Sequence, residues 1–364
     1  MKNSFGTHIT VTLFGESHGP SIGAVIDGLT PGLPVDEERI RALLSLRRPA
    51  GSISTARCEA DNFVLESGVF EGKTTGTPLC IRIPNTDTRS SDYEQMRWLP
   101  RPSHADYAAY GKYHGFEDPR GGGHFSGRIT AALVAVGGIL IPALEKKGVR
   151  IATHICRLGG VADRAFGDLD ADITALNGKP FAVLDDNKAD EMQAAIRAAK
   201  ADGDSVGGVL ESVVVGMPLG VGEPWFDTVE SVMSHALFAI PGVKGVEFGD
   251  GFALAEKRGS TANDPFYMDG DRIATVTNRS GGINGGITNG MPLVFRCAVR
   301  PTPTIGQEQQ TVDMKDGTDA KLIAKGRHDP CIVHRARVVV DCVTAIALAD
   351  LLVGRYGTDW LGDV

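Results

Sequence analysis

Arg120-Gly121-Gly122-Gly123-His124-Phe125-Ser126-Gly127-Arg128 runs directly into Ile129-Thr-Ala-Ala-Leu-Val-Ala-Val-Gly-Gly-Ile-Leu140. Three consecutive glycines cost backbone entropy, and a chain accepts that where its backbone must approach a ligand or adopt positive φ. The apolar run from Ile129 reads as a buried helix, so the loop delivers its N–H groups to a helix start, an anion-binding arrangement. Arg120 and Arg128 flank it. A flexible surface loop ahead of a core helix is the plainer reading. Two arginines, a histidine and a serine in so short a stretch favour a phosphate or carboxylate site.

Working outward, 364 residues can hold one large or two medium domains around a substantial core. A hydrophobic content of 42% with 23% charged residues is ordinary for a soluble globular chain. The net charge of −8 argues against a nucleic-acid partner. On such an acidic chain, the clusters Arg47/Arg48/Arg57, Arg97/Arg101 and Arg120/Arg128 point to small anionic ligands held at focused sites. Cys58, Cys80, Cys156, Cys297, Cys331 and Cys342 form no C-x-x-C pair and no zinc-like spacing, so free thiols in a reducing compartment are expected and no metal. Residues 1–8 carry no apolar signal core, and the run Ile129–Leu144 is short and glycine-interrupted for a bilayer span. The expectation is a cytoplasmic protein that engages no membrane.

Residues 9–14 alternate like a half-buried strand, Gly15–Gly19 turns the chain, and a second strand covers 23–29. A helix follows Asp36, with Glu37 and Glu38 in its first turn, Arg47 and Arg48 at its end and Pro49 stopping it. Residues 50–56 read as a loop. Further helices are predicted at 189–201, 228–239 and 337–354, the second with Asp227 and Glu230 at capping-box spacing. Strands are predicted at 209–215, 273–277 and 292–299. Thr74–Arg82 and Thr288–Arg296 share the pattern T-x-G-x-P-L-x-x-R, and 26–32 echoes 215–220 in the same order. Turn-then-strand grammar accounts for either; together they suggest two pseudo-repeated halves, roughly 1–200 and 201–364, in a single domain.

Several loops carry chemistry. His18, beside Ser17 in a glycine-bounded turn, is a candidate general acid or a hydrogen-bonded turn residue. His104 sits in Arg101-Pro-Ser-His-Ala-Asp106. Asp329 precedes Pro330, which favours an extended backbone, so its carboxylate enters a pocket or caps the following helix. Gly281-Gly-Ile-Asn-Gly-Gly-Ile287 suggests another close backbone approach, and Arg300-Pro-Thr-Pro-Thr304 offers a guanidinium and two hydroxyls to a phosphate. The letters G-x-S-x-G fit Gly15–Gly19, but a strand follows where a nucleophile elbow requires a helix. Neither a G-x-G-x-x-G after the first strand nor a P-loop is present.

Six segments in order resemble the chorismate synthase family over almost the whole chain: Gly15-Glu-Ser-His-Gly19, Ser67-Gly-Val-Phe-Glu-Gly-Lys-Thr-Thr-Gly-Thr-Pro78, Arg101–Asp106, Arg120–Arg128, Val243-Lys-Gly-Val-Glu-Phe-Gly-Asp-Gly251 and Arg327-His-Asp-Pro-Cys331. The resemblance implies an α+β fold, a β-α-β sandwich with central helices between antiparallel sheets. It implies a lyase of the shikimate pathway that makes chorismate and phosphate from 5-enolpyruvylshikimate 3-phosphate by 1,4-anti elimination. Reduced FMN is the implied cofactor and a homotetramer the implied assembly. By this resemblance His18 protonates the departing phosphate, His104 serves the reduced flavin, and Asp329 assists proton transfer there. Substrate binding falls to Ser17, Arg47, Arg48, Ser126, Arg128 and Arg327, with Arg57 standing in for a family arginine replaced by Ile53. Flavin contacts fall to His124, Phe125, Ser126, Gly285, Arg300, Pro301, Thr302, Pro303, Thr304 and Arg327. The family lysine is Arg300 here, its last-helix glutamate is Asp341, and His334–Arg337 is atypical. Without a nicotinamide fingerprint, the monofunctional kind is expected, supplied with reduced FMN by a separate flavin reductase. A non-catalytic flavin or anion binder, and a phosphate-ester hydrolase using Ser17 and His18, are the competing readings.

Overall fold

The computed structural model describes residues 2–49, 51, 53–55, 60–86, 97–324 and 329–362. Two five-stranded antiparallel sheets carry the α+β fold. The first contains β1 (Ser4–Phe5), β2 (Thr10–Gly15), β3 (Ser21–Asp27), β4 (Val64–Ser67) and β5 (Leu79–Pro84), in the order β1-β2-β3-β5-β4. The second contains β6 (Arg150–Leu158), β7 (Val161–Ala162), β8 (Gly208–Val215), β9 (Val243–Phe248) and β10 (Leu293–Val299), in the order β9-β10-β8-β6-β7.

Helices occupy the space between. α1 (Glu37–Arg47) begins as its sequence dictates, with the Asp36 carboxylate accepting from Arg39 N–H. α2 (Asp106–Tyr113) was not anticipated. α3 (Thr130–Lys146) is apolar all round and packs on β3, β5 and β6. α4 (Leu169–Leu176) and α5 (Asp186–Ala201) lie between β7 and β8 in sequence, and α6 (Val229–Leu237) between β8 and β9. The 24-residue α7 (Val333–Tyr356) packs on α3, β6 and β8. A helix apolar on every face is stable only inside a core. The Gly137–Gly138 pair lets its neighbours come close: a Cβ at 137 would lie 2.3 Å from Cys342 Cβ, and one at 138 would lie 2.7 Å from Ile40 Cγ1. The segment Gly127–Lys146 is long and apolar enough to cross a membrane, contrary to the sequence expectation, but 83% of its apolar window is buried in the core.

The two sheets share a connectivity. In each, an antiparallel strand pair (the hairpin β2-β3, or β6 with β8) leads to a helix (α1 or α6), an edge strand (β4 or β9) and then a strand inserted between that edge and the pair (β5 or β10). A long central helix, α3 or α7, follows the inserted strand. The sequence echo falls at matching points. Thr74 Oγ1 donates to Thr30 O and accepts from Leu33 N–H, while Thr288 Oγ1 donates to Pro218 O and accepts from Val221 N–H. The 200/201 division suggested by the sequence passes through the second sheet, whose strands come from both sides of it.

One local expectation fails. Thr228, not Asp227, caps α6, its hydroxyl accepting from Ser231 N–H, so the capping residue lies one position on. The described cysteines 80, 156, 297, 331 and 342 are all free thiols. Burial pushes Cys297 and Cys331 up to about 12, which makes them inert packing groups. Cys58 lies outside the described residues.

Candidate active site

A cavity of about 310 Å³ opens where the paired elements of the two sheets meet. Arg47 and Arg48 reach it from the end of α1, Arg101 and His104 from the turn before α2, and Phe125–Arg128 from the approach to α3. From the other side come Ile240–Gly242 after α6, Arg300–Thr304 after β10, and Asp329 and Arg335 around the start of α7. An adjoining cavity of about 540 Å³ is apolar, walled by Phe5, Val11, Leu13, Ile129, Leu133 and Val343, with His124 and His235 at its sides. His104, Phe125, Ser126 and Arg300 border both.

The triple glycine explains how two histidines come together. Gly121, Gly122 and Gly123 have φ of 60°, 85° and 52°, three left-handed residues in succession that only glycine adopts cheaply. His18 lies against Gly121, where a Cβ would fall 2.1 Å from its Cε1. His104 lies against the next residue, where a Cβ on Gly122 would fall 3.1 Å from its Cε1. Ser17 is buried beneath them, its hydroxyl 3.1 Å from His18 Nδ1 and bonded to the carbonyls of Arg120 and Gly121. His104 lines the cavities; Ser17 and His18 stand behind the glycine backbone and do not. His124 Nδ1 donates to Gly15 O, and Phe125 meets Tyr113 edge-on.

The arginines are held by carboxylates that sequence reading passed over. Asp61, at φ 53° and buried, bonds Arg47 Nη2 at 2.8 Å and Arg128 Nη1. Burial alone would raise its pKa; the charges of Arg47 and Arg128 overrule that and hold it below the ordinary range. Arg128 also donates to Asn85 Oδ1 and Pro84 O. Arg48 reaches Ala60 O, and Arg300 donates to Ser103 O. Asp329 does not cap α7, whose first turn follows Ile332 with no side-chain cap. Its carboxylate instead accepts from Thr55 N–H and from Arg335. Thr302 donates to the Asp329 carbonyl, tying the Arg300–Thr304 segment to the start of α7.

Arg335, in a stretch set aside on sequence grounds as atypical, therefore belongs to the cavity wall. Gly285 does not: it sits in a hairpin (Ile283–Asn284 with Ile287–Thr288) beside the start of α6, where Gly286 O accepts from Val229 N–H. Arg57 and Arg327 lie outside the described residues.

Known proteins agree with this architecture. A family model described as chorismate synthase matches residues 9–353. A protein named chorismate synthase from Aeropyrum pernix is 46% identical over 366 residues, covering 100% of this chain and 96% of its own length. One of the same name from Pyrococcus abyssi is 45% identical over 350 residues, covering 96% of this chain and 97% of its own. A crystal structure of chorismate synthase superposes with a TM-score of 0.75 at 28% identity, covering 97% of this chain and 94% of that one. Matched over nearly its whole length in sequence and in fold, the chain belongs to the chorismate synthase family.

Proposed function

We propose that the two adjoining cavities are the active site of this lyase, the basic one receiving substrate and the apolar one a flavin ring. As a member of its family the chain converts 5-enolpyruvylshikimate 3-phosphate to chorismate and phosphate in the shikimate pathway. The observation that carries the assignment is the glycine cradle, which seats His104 against Gly122 at the wall of a cavity edged by arginines and His18 against Gly121 directly behind it.

The substrate bears a phosphate and two carboxylates, so its site needs several cations fixed in advance. Arg47, Arg48 and Arg128 supply them, with Arg57 and Arg327 assigned by family match alone. Asp61 locks two of the guanidiniums, which limits the ordering required on binding. Ser126 borders the cavity as a hydrogen-bonding partner. By family match His18 delivers a proton to the departing phosphate oxygen, reaching it past the Gly121 backbone that stands between its ring and the cavity, with Ser17 orienting that ring from the Nδ1 side. By the same match His104 serves the reduced flavin and Asp329 assists proton transfer there, both from the wall of the basic cavity.

The family uses a flavin; we assign reduced FMN. The donor set fits that molecule: a large apolar cavity beside His104, His124 and Phe125, with the Arg300 guanidinium and the Thr302 and Thr304 hydroxyls at the basic end. Gly285 is assigned to the flavin by family match alone. When bound, reduced FMN lends electron density to the substrate, so that elimination proceeds without net redox change. We assign a cytoplasmic location, in keeping with the free thiols, and a separate reductase, because no nicotinamide fingerprint is present. A homotetramer is supported by exposed aromatic surface: Trp225, Phe226, Phe252 and Phe266 are 69–89% exposed. The repeated connectivity of the two sheets supports a single domain of two duplicated halves.

An anaerobic assay with dithionite-reduced FMN tests the assignment. Chorismate and phosphate should appear together, and His18→Ala and His104→Ala should each lower turnover by about 10²–10⁴-fold in folded protein. Unchanged turnover in either variant removes that residue from the site. Turnover in air with NADPH and FMN but no added reductase would overturn the monofunctional reading.

A further inference from the structure

We propose that Asp106 is a positioning residue that selects the Nδ1–H tautomer of His104 and leaves Nε2 as a bare acceptor at the cavity wall. Asp106 Oδ1 lies 2.6 Å from His104 Nδ1. A carboxylate carries no hydrogen, so a contact that short requires the proton to be on the imidazole. The carboxylate is itself fixed by Arg101, whose Nε donates to Oδ2 and whose Nη2 donates to Oδ1, each at 2.8 Å. Arg101 N–H adds a third bond to Oδ2 at 3.0 Å. Burial would raise the Asp106 pKa, but Arg101 and then His104 outweigh it and hold the carboxyl well below the usual range.

Arg101 Nη2 also approaches Nδ1, at 3.0 Å. It cannot donate there while Nδ1 holds a proton, so its hydrogen goes to Oδ1 and the three groups satisfy one another. The other ring nitrogen has no such restraint: no described residue hydrogen-bonds Nε2, which lies over Gly122, where a Cβ would be 3.4 Å away. Asp106 is also the first residue of α2, where an acid would be expected merely to complement the helix dipole. Its side chain turns back to His104 instead. An orienting carboxylate of this kind sets which nitrogen takes or gives the proton. The catalytic consequence rests on the placing of His104 in the active site; the tautomer does not.

Ring-nitrogen NMR of ¹⁵N-histidine-labelled, ligand-free protein at alkaline pH, assigned with a His104→Gln variant, reads the tautomer directly. The expected spectrum has a protonated Nδ1 and a bare Nε2 at His104. In Asp106→Asn the amide donates to a bare Nδ1 as readily as it accepts from a protonated one, so the single tautomer should give way to a mixture. With that mixture kcat should fall about 10²-fold while KM for substrate stays within about threefold. A wild-type spectrum with the proton on Nε2 overturns the proposal even if Asp106→Asn does not fold. A changed tautomer with unchanged kcat overturns its catalytic half. The expected spectrum together with full turnover in His104→Gln would instead remove His104 from the proposed mechanism and leave tautomer selection standing.

Discussion

Gly121→Ala adds a single methyl group where the backbone and the site are both at their limit. The new Cβ would lie 2.1 Å from His18 Cε1, 2.2 Å from His18 Nδ1 and 2.9 Å from Ser17 Oγ. Ordinary contact begins at 3.4 Å, so the imidazole must retreat by about 1.3 Å, which breaks its bond to Ser17. A misplacement of that size costs about 10²-fold in rate. The left-handed backbone adds about 1–2 kcal/mol of instability with a Cβ in place. Urea unfolding gives the second quantity and the anaerobic assay with reduced FMN gives the first. Gly122→Ala carries the same backbone cost but stops 3.1 Å from His104, a push of a few tenths of an ångström, so its kinetic effect should be the smaller. Gly111→Ala is the control: it lies within α2 with open space around it, and should keep full turnover while gaining about 0.5–1 kcal/mol. Wild-type kcat in Gly121→Ala would refute the argument that glycine is required there to seat His18.

Asp61→Asn keeps the shape and tolerates the left-handed backbone but removes the negative charge that the buried guanidiniums of Arg47 and Arg128 share. Unfolding free energy should drop by about 3–5 kcal/mol at neutral pH, and a loss below about 1 kcal/mol in urea titration would contradict the buried-pair account. Because the folded pKa of Asp61 is depressed, its stabilisation is present above the unfolded value of about 3.9 and is lost as pH falls through the folded one. His154, enclosed in the second sheet by Asp163 at 2.8 Å and Glu211 at 3.1 Å, behaves oppositely. Burial would lower its pKa, yet the two carboxylates raise it, so its contribution is complete below about 6.5 and fades as pH rises through the raised value. Wild-type urea midpoints should fall between about pH 6 and pH 9, and His154→Gln should lose that slope; identical slopes would exclude His154 as its source.

Much of this was legible in the sequence because it depends on neighbours in the chain. The glycine run, the charge order of α1 and the apolar helix after Ser126 are local signals, and α1, α3, α5, α6, β8 and β10 appear where the pattern puts them to within a few residues. The nine-residue β6 went unread because its Thr153 and His154 are buried polar residues that hide its period. Asp61 and Asp106 escaped for a different reason: each matters through an arginine or histidine that only folding, or a tight turn, brings to it. Positions that break the family pattern proved to be partners. Ser54 Oγ meets His334 Nε2 at 2.9 Å, and burial followed by the charge of Arg335 lowers that histidine to about 3, keeping it a neutral packing group. Arg337 pairs with Asp341 one helical turn on. In these two pairs one departure meets another, which one-position comparison cannot reveal. Ile53 is buried in the core, so it takes a packing role where the family has an arginine.

The position of the cavity follows from the matched connectivity of the two sheets. It is edged by the ends of corresponding helices, Arg47–Arg48 after α1 and Ile240–Gly242 after α6. It is edged again by the segments beyond corresponding strands, Arg101–His104 after β5 and Arg300–Thr304 after β10, and by the starts of both long central helices. Two helix N-termini meeting at one point make a region of positive potential before any side chain is counted. The triple glycine and both candidate histidines lie in the first part of the chain and the Arg300–Thr304 segment in the last. Under the proposed function, the similar connectivity of the two sheets serves two different anions, a phosphorylated substrate and a phosphorylated cofactor.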